Sequence, residues 1–337
     1  MRSSRDWTTA RVAAIRDVAT GIREILLKPE HGASRWPSGS HLMTRVLING
    51  VSELRHYSLV GDEPVDGCWR IAVKRAEPGR GGSAYMWSLP IGARLEVAAP
   101  DSHFELSRAA PEYLLIAGGI GVTPMVGMAQ TLVRRGDRVR FLYAAHSPAH
   151  LAYLPELLAL LGPALAVFTP DGAGRIDFAK EFARLSPEAE AYVCGPIGML
   201  EAARVAWRDG GRKPSRLVYE TFGSSGRHAS EAFTARVPGS DAVVTVAATE
   251  TLLDALDRAG VEVISDCKRG ECGLCALTVL SCTGEIDHRD VFLSEEQHAA
   301  NDKICICVSR VVGGEIVLDA AFAPDAPLKS GPEISRG

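Results

Sequence analysis

Three cysteines crowd into nine residues of this chain, Cys267-Lys268-Arg269-Gly270-Glu271-Cys272-Gly273-Leu274-Cys275, in the spacing C-x4-C-x2-C. Cys307 follows after 31 intervening residues. Thiols this close must come from a loop wrapped tightly around one centre, its backbone N–H groups turned toward the sulfurs. Gly270 and Gly273 stand where such a loop needs residues free to adopt positive φ.

The triplet with a distant fourth cysteine matches the plant-type 2Fe–2S pattern, in which four thiolates hold two irons. Zinc also takes four cysteines, but usually as two short C-x2–4-C pairs. The expected metal ligands are Cys267, Cys272, Cys275 and one of the pair in Ile304-Cys305-Ile306-Cys307. Only one of Cys305 and Cys307 is expected to face the metal.

A chain of 337 residues is expected to hold two or three domains, and 46% hydrophobic content supplies ordinary cores. A net charge of −4 gives no footprint for nucleic acid. No apolar run reaches the length of a membrane span, and no apolar signal-peptide core follows Met1-Arg2-Ser3-Ser4-Arg5. The expected location is the cytoplasm. The eight cysteines then read as metal ligands and free thiols, not disulfides.

Three textures follow one another. Residues 1–107 show short alternating runs (11–15, 41–48, 69–73, 94–98) between Gly, Pro and Asp turns, as in a small antiparallel β-barrel. Residues 108–223 alternate strand-like and helical runs: strands at 113–117, 138–144 and 191–194, helices at 124–135, 155–161 and 197–206. That order predicts an α/β domain on a parallel sheet. Residues 224–231 read as a polar linker. Residues 232–337 begin with a hairpin (233–237, 242–246) and an amphipathic helix (251–259) before the cysteine loop, the order of an α+β, β-grasp ferredoxin domain.

Four further motifs carry chemistry. Gly118-Gly119-Ile120-Gly121-Val122-Thr123-Pro124 lies where a strand meets a helix. Glycines there let a pyrophosphate approach the backbone, the helix N-terminus offers free N–H groups, and Pro124 suits the first helical position; a purely structural tight turn is the less favoured reading of G-x-G-x-x-P. Tyr192-Val193-Cys194-Gly195-Pro196 ends a later strand, where α/β sheets bind ligands, although a buried cysteine is more often packing. Arg55-His56-Tyr57-Ser58-Leu59 offers a guanidinium for phosphate, a ring for stacking and a hydroxyl for a ring nitrogen; alone it could be an ordinary strand. Val73-Lys74-Arg75 with Gly79-Arg80-Gly81-Gly82-Ser83 would suit a phosphate monoester or a solvated loop.

Taken in this order, the motifs resemble the phthalate dioxygenase reductase family, including vanillate demethylase reductases, over nearly the whole chain. Glu220-Thr221-Phe222-Gly223 and the run His288-Arg289-Asp290-Val291-Phe292-Leu293-Ser294 leading to Cys307-Val308-Ser309-Arg310 also fit it. The resemblance implies FMN on the barrel, NADH on the α/β domain and a 2Fe–2S cluster at the end. It implies that Arg55, His56, Tyr57, Ser58 and Leu59 line the flavin, with Ser58 near its reactive nitrogen. Val73, Lys74, Arg80, Gly81, Gly82 and Ser83 would surround the FMN phosphate. Gly119, Gly121, Thr123, Pro124, Cys194, Gly195 and Pro196 would line the nucleotide site. Glu220 and Phe222 would close over the flavin, with Ser58, Cys194 and Glu220 nearest the chemistry. It also selects Cys307 over Cys305 as fourth ligand. One departure is Asp266, directly before Cys267 where the family usually has Ser; a close, unscreened carboxylate would lower the cluster's potential.

The implied function is an NADH-dependent reductase of a multicomponent oxygenase, passing electrons through FMN and the cluster to a terminal oxygenase of the Rieske non-haem iron type. A haem monooxygenase is the alternative acceptor. FMN is expected over FAD because the turn at Ser83 suits a terminal phosphate. NADH is expected over NADPH because residues 144–150 hold no arginine for a 2′-phosphate. Two rivals fit less well. An electron-transfer subunit of another dehydrogenase generally has a shorter spacing to its last cysteine, and a redox sensor needs neither a nucleotide domain nor a flavin barrel.

Overall fold

The computed structural model describes residues 6–320 apart from 49, 78, 103, 223–225 and 227. Part of the expected linker therefore lies outside the described residues. The chain divides into two compact units, Met1–Phe222 and Gly223–Gly337.

The first unit opens with β1 (Trp7–Ala19), β2 (Ile22–Pro29), β3 (His41–Ile48), β4 (Val51–Ser58), β5 (Trp69–Lys74), the short helix α1 (Gly82–Ser88) and β6 (Arg94–Ala98). The strands pair antiparallel in the order β4-β3-β6-β1-β2-β5. Leu59, just past β4, bridges Ile71 of β5, which joins the two edges into a small barrel. Val12, Ile25, Leu42, Leu59, Ile71 and Val97 fill it. The barrel's continuous strand content reflects alternation of these apolar residues with polar ones.

The α/β part follows as β7 (Tyr113–Gly118), α2 (Val122–Arg135), β8 (Val139–Ala144), α3 (Leu154–Leu161), β9 (Leu165–Phe168), α4 (Phe178–Ala183), β10 (Glu190–Cys194), α5 (Ile197–Asp209) and β11 (Leu217–Glu220). Its sheet is parallel, in the order β11-β10-β7-β8-β9. The chain leaves β7 toward β8 on one side, and β10 lies on the other. The β7/β10 boundary is thus a topological switch point, where a crevice opens beyond the strand ends.

Helix α2 starts at Val122, two residues before the sequence expectation, so Pro124 is its third residue. A first-turn proline is tolerated because N–H groups there have no intrahelical acceptor. Ten of the 14 residues of α2 are buried, because the sheet covers one side and the barrel another. Ile22, Val60, Ala72 and Phe104 share its core with Met125, Met128 and Tyr192. At Gly127 a Cβ would lie 2.3 Å from the Gly61 carbonyl oxygen, so no side chain fits where helix meets barrel. Arg70 of β5 joins the halves electrostatically, donating to Glu24 at 3.1 Å and to Glu156 of α3 at 3.0 Å.

The second unit contains β12 (Phe233–Val237), β13 (Ala242–Val246), α6 (Leu252–Arg258), β14 (Ala276–Cys282), β15 (Glu285–Asp287), α7 (Glu295–Ala300), β16 (Lys303–Cys305), β17 (Arg310–Val312) and β18 (Glu315–Asp319). The main sheet runs β13-β12-β18-β14-β16, with β15 and β17 paired separately. Its hairpin, helix and metal loop follow the expected order. Thr251 caps α6 by accepting from the Asp254 amide, and Ser294 with Gln297 forms a capping box on α7.

Candidate functional site

The cysteine loop runs from the end of α6 to the start of β14. Backbone N–H groups of Arg269 and Cys272 each donate to Cys267 Sγ at 3.4 Å, so the loop is wound around that sulfur. Gly270 (φ 76°) and Gly273 (φ 72°) both adopt the expected left-handed conformation. Close packing also requires them. A Cβ on Gly270 would meet Val308 at 2.6 Å, and one on Gly273 would meet the Phe292 ring at 2.2 Å. Lys268 also takes positive φ without being glycine.

Strand alternation cannot choose between Cys305 and Cys307, since residues two apart share one face. β16 ends at Cys305, and Cys307 lies in the turn that follows. Both thiols reach Cys275. Hydrogen bonds from the Cys305 and Cys307 thiols hold the Cys275 thiol down, at about 3. The same bonds, reinforced by burial, push Cys305 and Cys307 up. Cys307 also takes a backbone N–H from Gly270 and feels the Cys267 sulfur. It faces the loop, while Cys305 approaches from the side of β14, paired with Ala276. Burial raises the Cys267 thiol against the pull of the amides of Arg269, Glu271 and Cys272. Four soft thiols converging with loop N–H groups directed at sulfur fit a 2Fe–2S cluster.

Asp290 holds the two halves of this site together, a role the sequence reading did not assign. Its buried carboxylate accepts from Ser309 Oγ at 3.1 Å, the Leu293 amide at 2.9 Å and the His298 imidazole at 3.1 Å. The neighbouring Val291 amide bonds Gly270 O at 2.9 Å. The turn carrying Cys307 is thereby tied to the loop carrying the other three cysteines. A buried carboxylate within a His-Arg-Asp run is the sequence signal that marks it.

On the barrel, β4 brings Arg55 against α1. A Cβ on Gly82 would fall 2.6 Å from Arg55 Nε, and Arg55 Nη2 lies 3.4 Å from Arg80 O. Gly81 caps α1 in the left-handed region (φ 79°). Ser83 Oγ accepts from the Ala76 amide at 3.2 Å, folding the segment after β5 back onto α1. Arg55, Arg80, Gly81, Gly82 and Ser83 are thus brought together, with exposed Lys74 at the end of β5. These cations, the serine hydroxyl and a cradle walled by glycine fit a flavin phosphate.

Alternation along β4 puts Arg55 and Tyr57 on one face. Burial pushes the Tyr57 phenol well above its usual range, against the opposing effect of Arg55. His56 instead packs tilted against His41 (ring centroids 4.9 Å apart), and Ser58 pairs with His41 of β3. Leu59 and Val73 turn their side chains into the barrel core, and the Val73 carbonyl accepts from Trp87 Nε1 at 3.0 Å. For Leu59, the backbone alone remains for contact with a ligand.

At the switch point, register aligns Ala117, Cys194 and Glu220 on adjacent strands. The two turns beyond them interlock. A Cβ on Gly118 would meet Pro196 at 2.6 Å, one on Gly195 would meet Met199 Sδ at 2.9 Å, and one on Gly121 would meet the Cys194 carbonyl at 2.1 Å. These glycines serve close packing. Gly119 (φ 55°) differs, since a Cβ there would meet nothing within 4 Å. It is the glycine in front of which a nucleotide has room, and β5 of the barrel lies against its turn. Thr123 Oγ1 donates to Ile120 O at 2.9 Å. Cys194 and Glu220 are buried at their strand ends, and Phe222 packs on the core beside them. An open glycine before a helix N-terminus at a switch point fits a dinucleotide.

Among the described residues no helix is long and apolar enough to cross a membrane.

Family models match three consecutive stretches: the oxidoreductase FAD-binding domain at residues 10–106, the oxidoreductase NAD-binding domain at 115–205 and the 2Fe-2S iron-sulfur cluster binding domain at 235–312. The cofactor set is therefore a flavin, a nicotinamide nucleotide and a 2Fe–2S cluster. The chain is 36% identical to the phenoxybenzoate dioxygenase subunit beta of Ectopseudomonas oleovorans, over 90% of this chain and 96% of that protein. It is 36% identical to the heme-dependent oxidative N-demethylase beta subunit of Ectopseudomonas mendocina (strain ymp), over 92% of this chain and 97% of that protein. The solved phthalate dioxygenase reductase, described as a modular structure for electron transfer from pyridine nucleotides to [2Fe-2S], is similar with 31% identity and a TM-score of 0.71. That match covers 93% of this chain and 98% of that one. With its flavin barrel, parallel nucleotide sheet and ferredoxin unit in the same order, the chain belongs to the phthalate dioxygenase reductase family of oxidoreductases, the flavin iron–sulfur reductases of multicomponent oxygenase systems.

Proposed function

We propose that this chain is the NADH-dependent reductase of a cytoplasmic oxygenase system and delivers electrons to a Rieske non-haem iron oxygenase of demethylating or aromatic-hydroxylating type. One observation carries the reading: a four-thiolate pocket, a glycine-walled phosphate cradle and an open nucleotide turn occur in a single chain. When bound, the nicotinamide supplies hydride, FMN (the flavin of this family) links two-electron to one-electron chemistry, and the cluster carries single electrons.

The residues supply binding and orientation. Arg55, Arg80 and Ser83 hold the flavin phosphate, with Lys74 completing its charge. Tyr57 packs along the flavin, with Ser58 toward its reactive nitrogen. Gly119 admits the pyrophosphate, and the strand ends at Cys194 and Glu220 bound the nicotinamide pocket, closed by Phe222. Cys267, Cys272, Cys275 and Cys307 hold the cluster, and Asp290 positions the loop. We assign the barrel to residues 1–107, the nucleotide domain to 108–223, the linker to 224–231 and the ferredoxin domain to 232–337. The preference for NADH rests on residues 144–150, which lack arginine and in which Ser147 Oγ is engaged by His150 Nδ1 at 2.8 Å.

Anaerobic stopped-flow spectroscopy tests this. NADH should bleach the flavin first and the cluster second, with a higher kcat/KM than NADPH. A flavin that bleaches while the cluster stays oxidised would refute the electron path. A haem acceptor is the second reading, favoured by the similarity to the heme-dependent N-demethylase beta subunit. Transfer to a purified Rieske oxygenase separates the two.

A further inference from the structure

Phe292 is 50% exposed and Leu274 is 52% exposed, although both are large and apolar. Single exposed hydrophobics are ordinary on any surface. The position of these two is not. Leu274 lies between the ligands Cys272 and Cys275, and the Phe292 ring rests on Gly273, where even a Cβ would sit 2.2 Å from it. The missing side chain of Gly273 lets one face of the ring cover the loop while the other stays open. The apolar surface therefore lies directly over the segment that carries two of the thiols.

The exposed charge along this stretch of chain is one-sided. Glu262, Asp266, Glu295 and Glu296 are exposed, and Lys268 is the one exposed basic residue from 262 to 296. The arginines of that stretch turn inward, Arg269 to Glu271 at 2.8 Å and Arg289 to Asp287 at 2.7 Å. Exposed apolar side chains flanked along the chain by acidic ones suit a protein–protein contact. Acidic rims steer basic partners and speed encounter.

We propose that the Leu274–Phe292 surface is where the electron-accepting protein docks, and that this acceptor presents an apolar electron-entry point ringed by basic side chains. The inference rests on the electron-transfer reading above and adds the exit face and the partner's charge. A single electron crosses at this surface: the cluster is reoxidised and the acceptor's metal centre is reduced, with no atom transferred. Cytochrome c, a basic haem protein with an exposed haem edge, is a suitable probe.

The test uses the full-length holoprotein with Phe292→Ser, Phe292→Leu, Leu274→Ser and the Glu295→Gln/Glu296→Gln pair. Two steps are followed: bleaching of the cluster by NADH alone, and steady-state reduction of cytochrome c. Loss of an interface aromatic is expected to raise the KM for cytochrome c about tenfold in Phe292→Ser, with bleaching by NADH unchanged and Phe292→Leu close to wild type. The Gln pair should flatten the fall of rate with ionic strength. If Phe292→Ser loses its cluster, Leu274→Ser carries the same expectation. An unaltered KM in both serine variants overturns the proposal. So does slowed bleaching at unaltered KM, which would assign the surface to electron entry from the flavin. If NADH does not bleach the wild-type cluster at all, the electron-transfer reading falls and takes this proposal with it.

Discussion

Gly121 and Cys194 meet so closely that a Cβ on the glycine would lie 2.1 Å from the cysteine's carbonyl oxygen. Both partners are backbone, so no rotamer change can relieve the clash. Gly121→Ala must push the β7 turn away from the end of β10. The expected cost is about 1–3 kcal/mol of stability, with NADH-driven flavin reduction falling at least about tenfold while flavin and cluster stay bound. Gly119→Ala should differ, since it meets nothing but is forced to hold φ near 55°. It should cost about 1 kcal/mol and chiefly raise the KM for NADH. Stopped-flow traces with thermal melts of both variants check the contrast.

Arg70 is the hinge of a second prediction. Glu24 is 2% exposed and pairs with Arg70 at 3.1 Å and Arg16 at 2.9 Å. Arg70→Met leaves Glu24 short of its buried partner and also frees Glu156 of α3. Breaking a buried pair from one side costs about 3–5 kcal/mol. Denaturant melts of the first unit should show this loss. A double change, Arg70→Met with Glu24→Leu, should recover much of it.

The two cysteines of 304–307 should behave differently. Cys307→Ser is expected to yield protein without intact cluster, since Cys307 shares the loop's N–H groups and faces Cys267. Cys305→Ser should retain iron, acid-labile sulfide and the visible spectrum. Its EPR signal or midpoint potential should shift, because the thiol touches the Cys275 sulfur. A stable cluster in Cys307→Ser and none in Cys305→Ser would exchange their roles.

Asp290 gives the ferredoxin unit a defined acid response. Burial raises its carboxyl, but the His288 and His298 imidazoles and the Leu293 amide outweigh that and hold it well below the usual range. A depressed folded-state value means the stabilisation is complete above the unfolded carboxylate's value of about 3.9. It is lost as pH falls below that toward the folded value. Asp290→Asn should therefore be less stable at pH 7 by about 3 kcal/mol, and the gap to wild type should narrow toward pH 3. Urea melts of the apo ferredoxin unit's signal at several pH values measure both.

The sequence showed most of this architecture where a single period or motif governs. Strands 41–48, 94–98, 233–237 and 242–246 coincide with β3, β6, β12 and β13, because hydrophobic alternation and turn residues act locally. Helix α1 was not visible, since Gly82 and Ser83 read as a loop; the left-handed Gly81 and the bond from the Ala76 amide to Ser83 mark its start. The cysteine loop was readable from spacing. Spacing could not choose between Cys305 and Cys307, because residues two apart share one face of a strand; the end of β16 at Cys305 and the turn that follows are what separate them. The glycines of the nucleotide turn looked alike in sequence. Only packing separates Gly121, pressed on a neighbouring strand, from Gly119, open to a ligand.

β18 (Glu315–Asp319) is the latest of the described strands in sequence, yet it occupies the middle of its sheet, hydrogen-bonded to β12 on one side and β14 on the other. On the ribosome, then, the barrel and nucleotide portion can close while the ferredoxin sheet still lacks its keystone. Metal loading must await synthesis through residue 319, and any polypeptide released before residue 315 would be able to take up hydride with no outlet for single electrons.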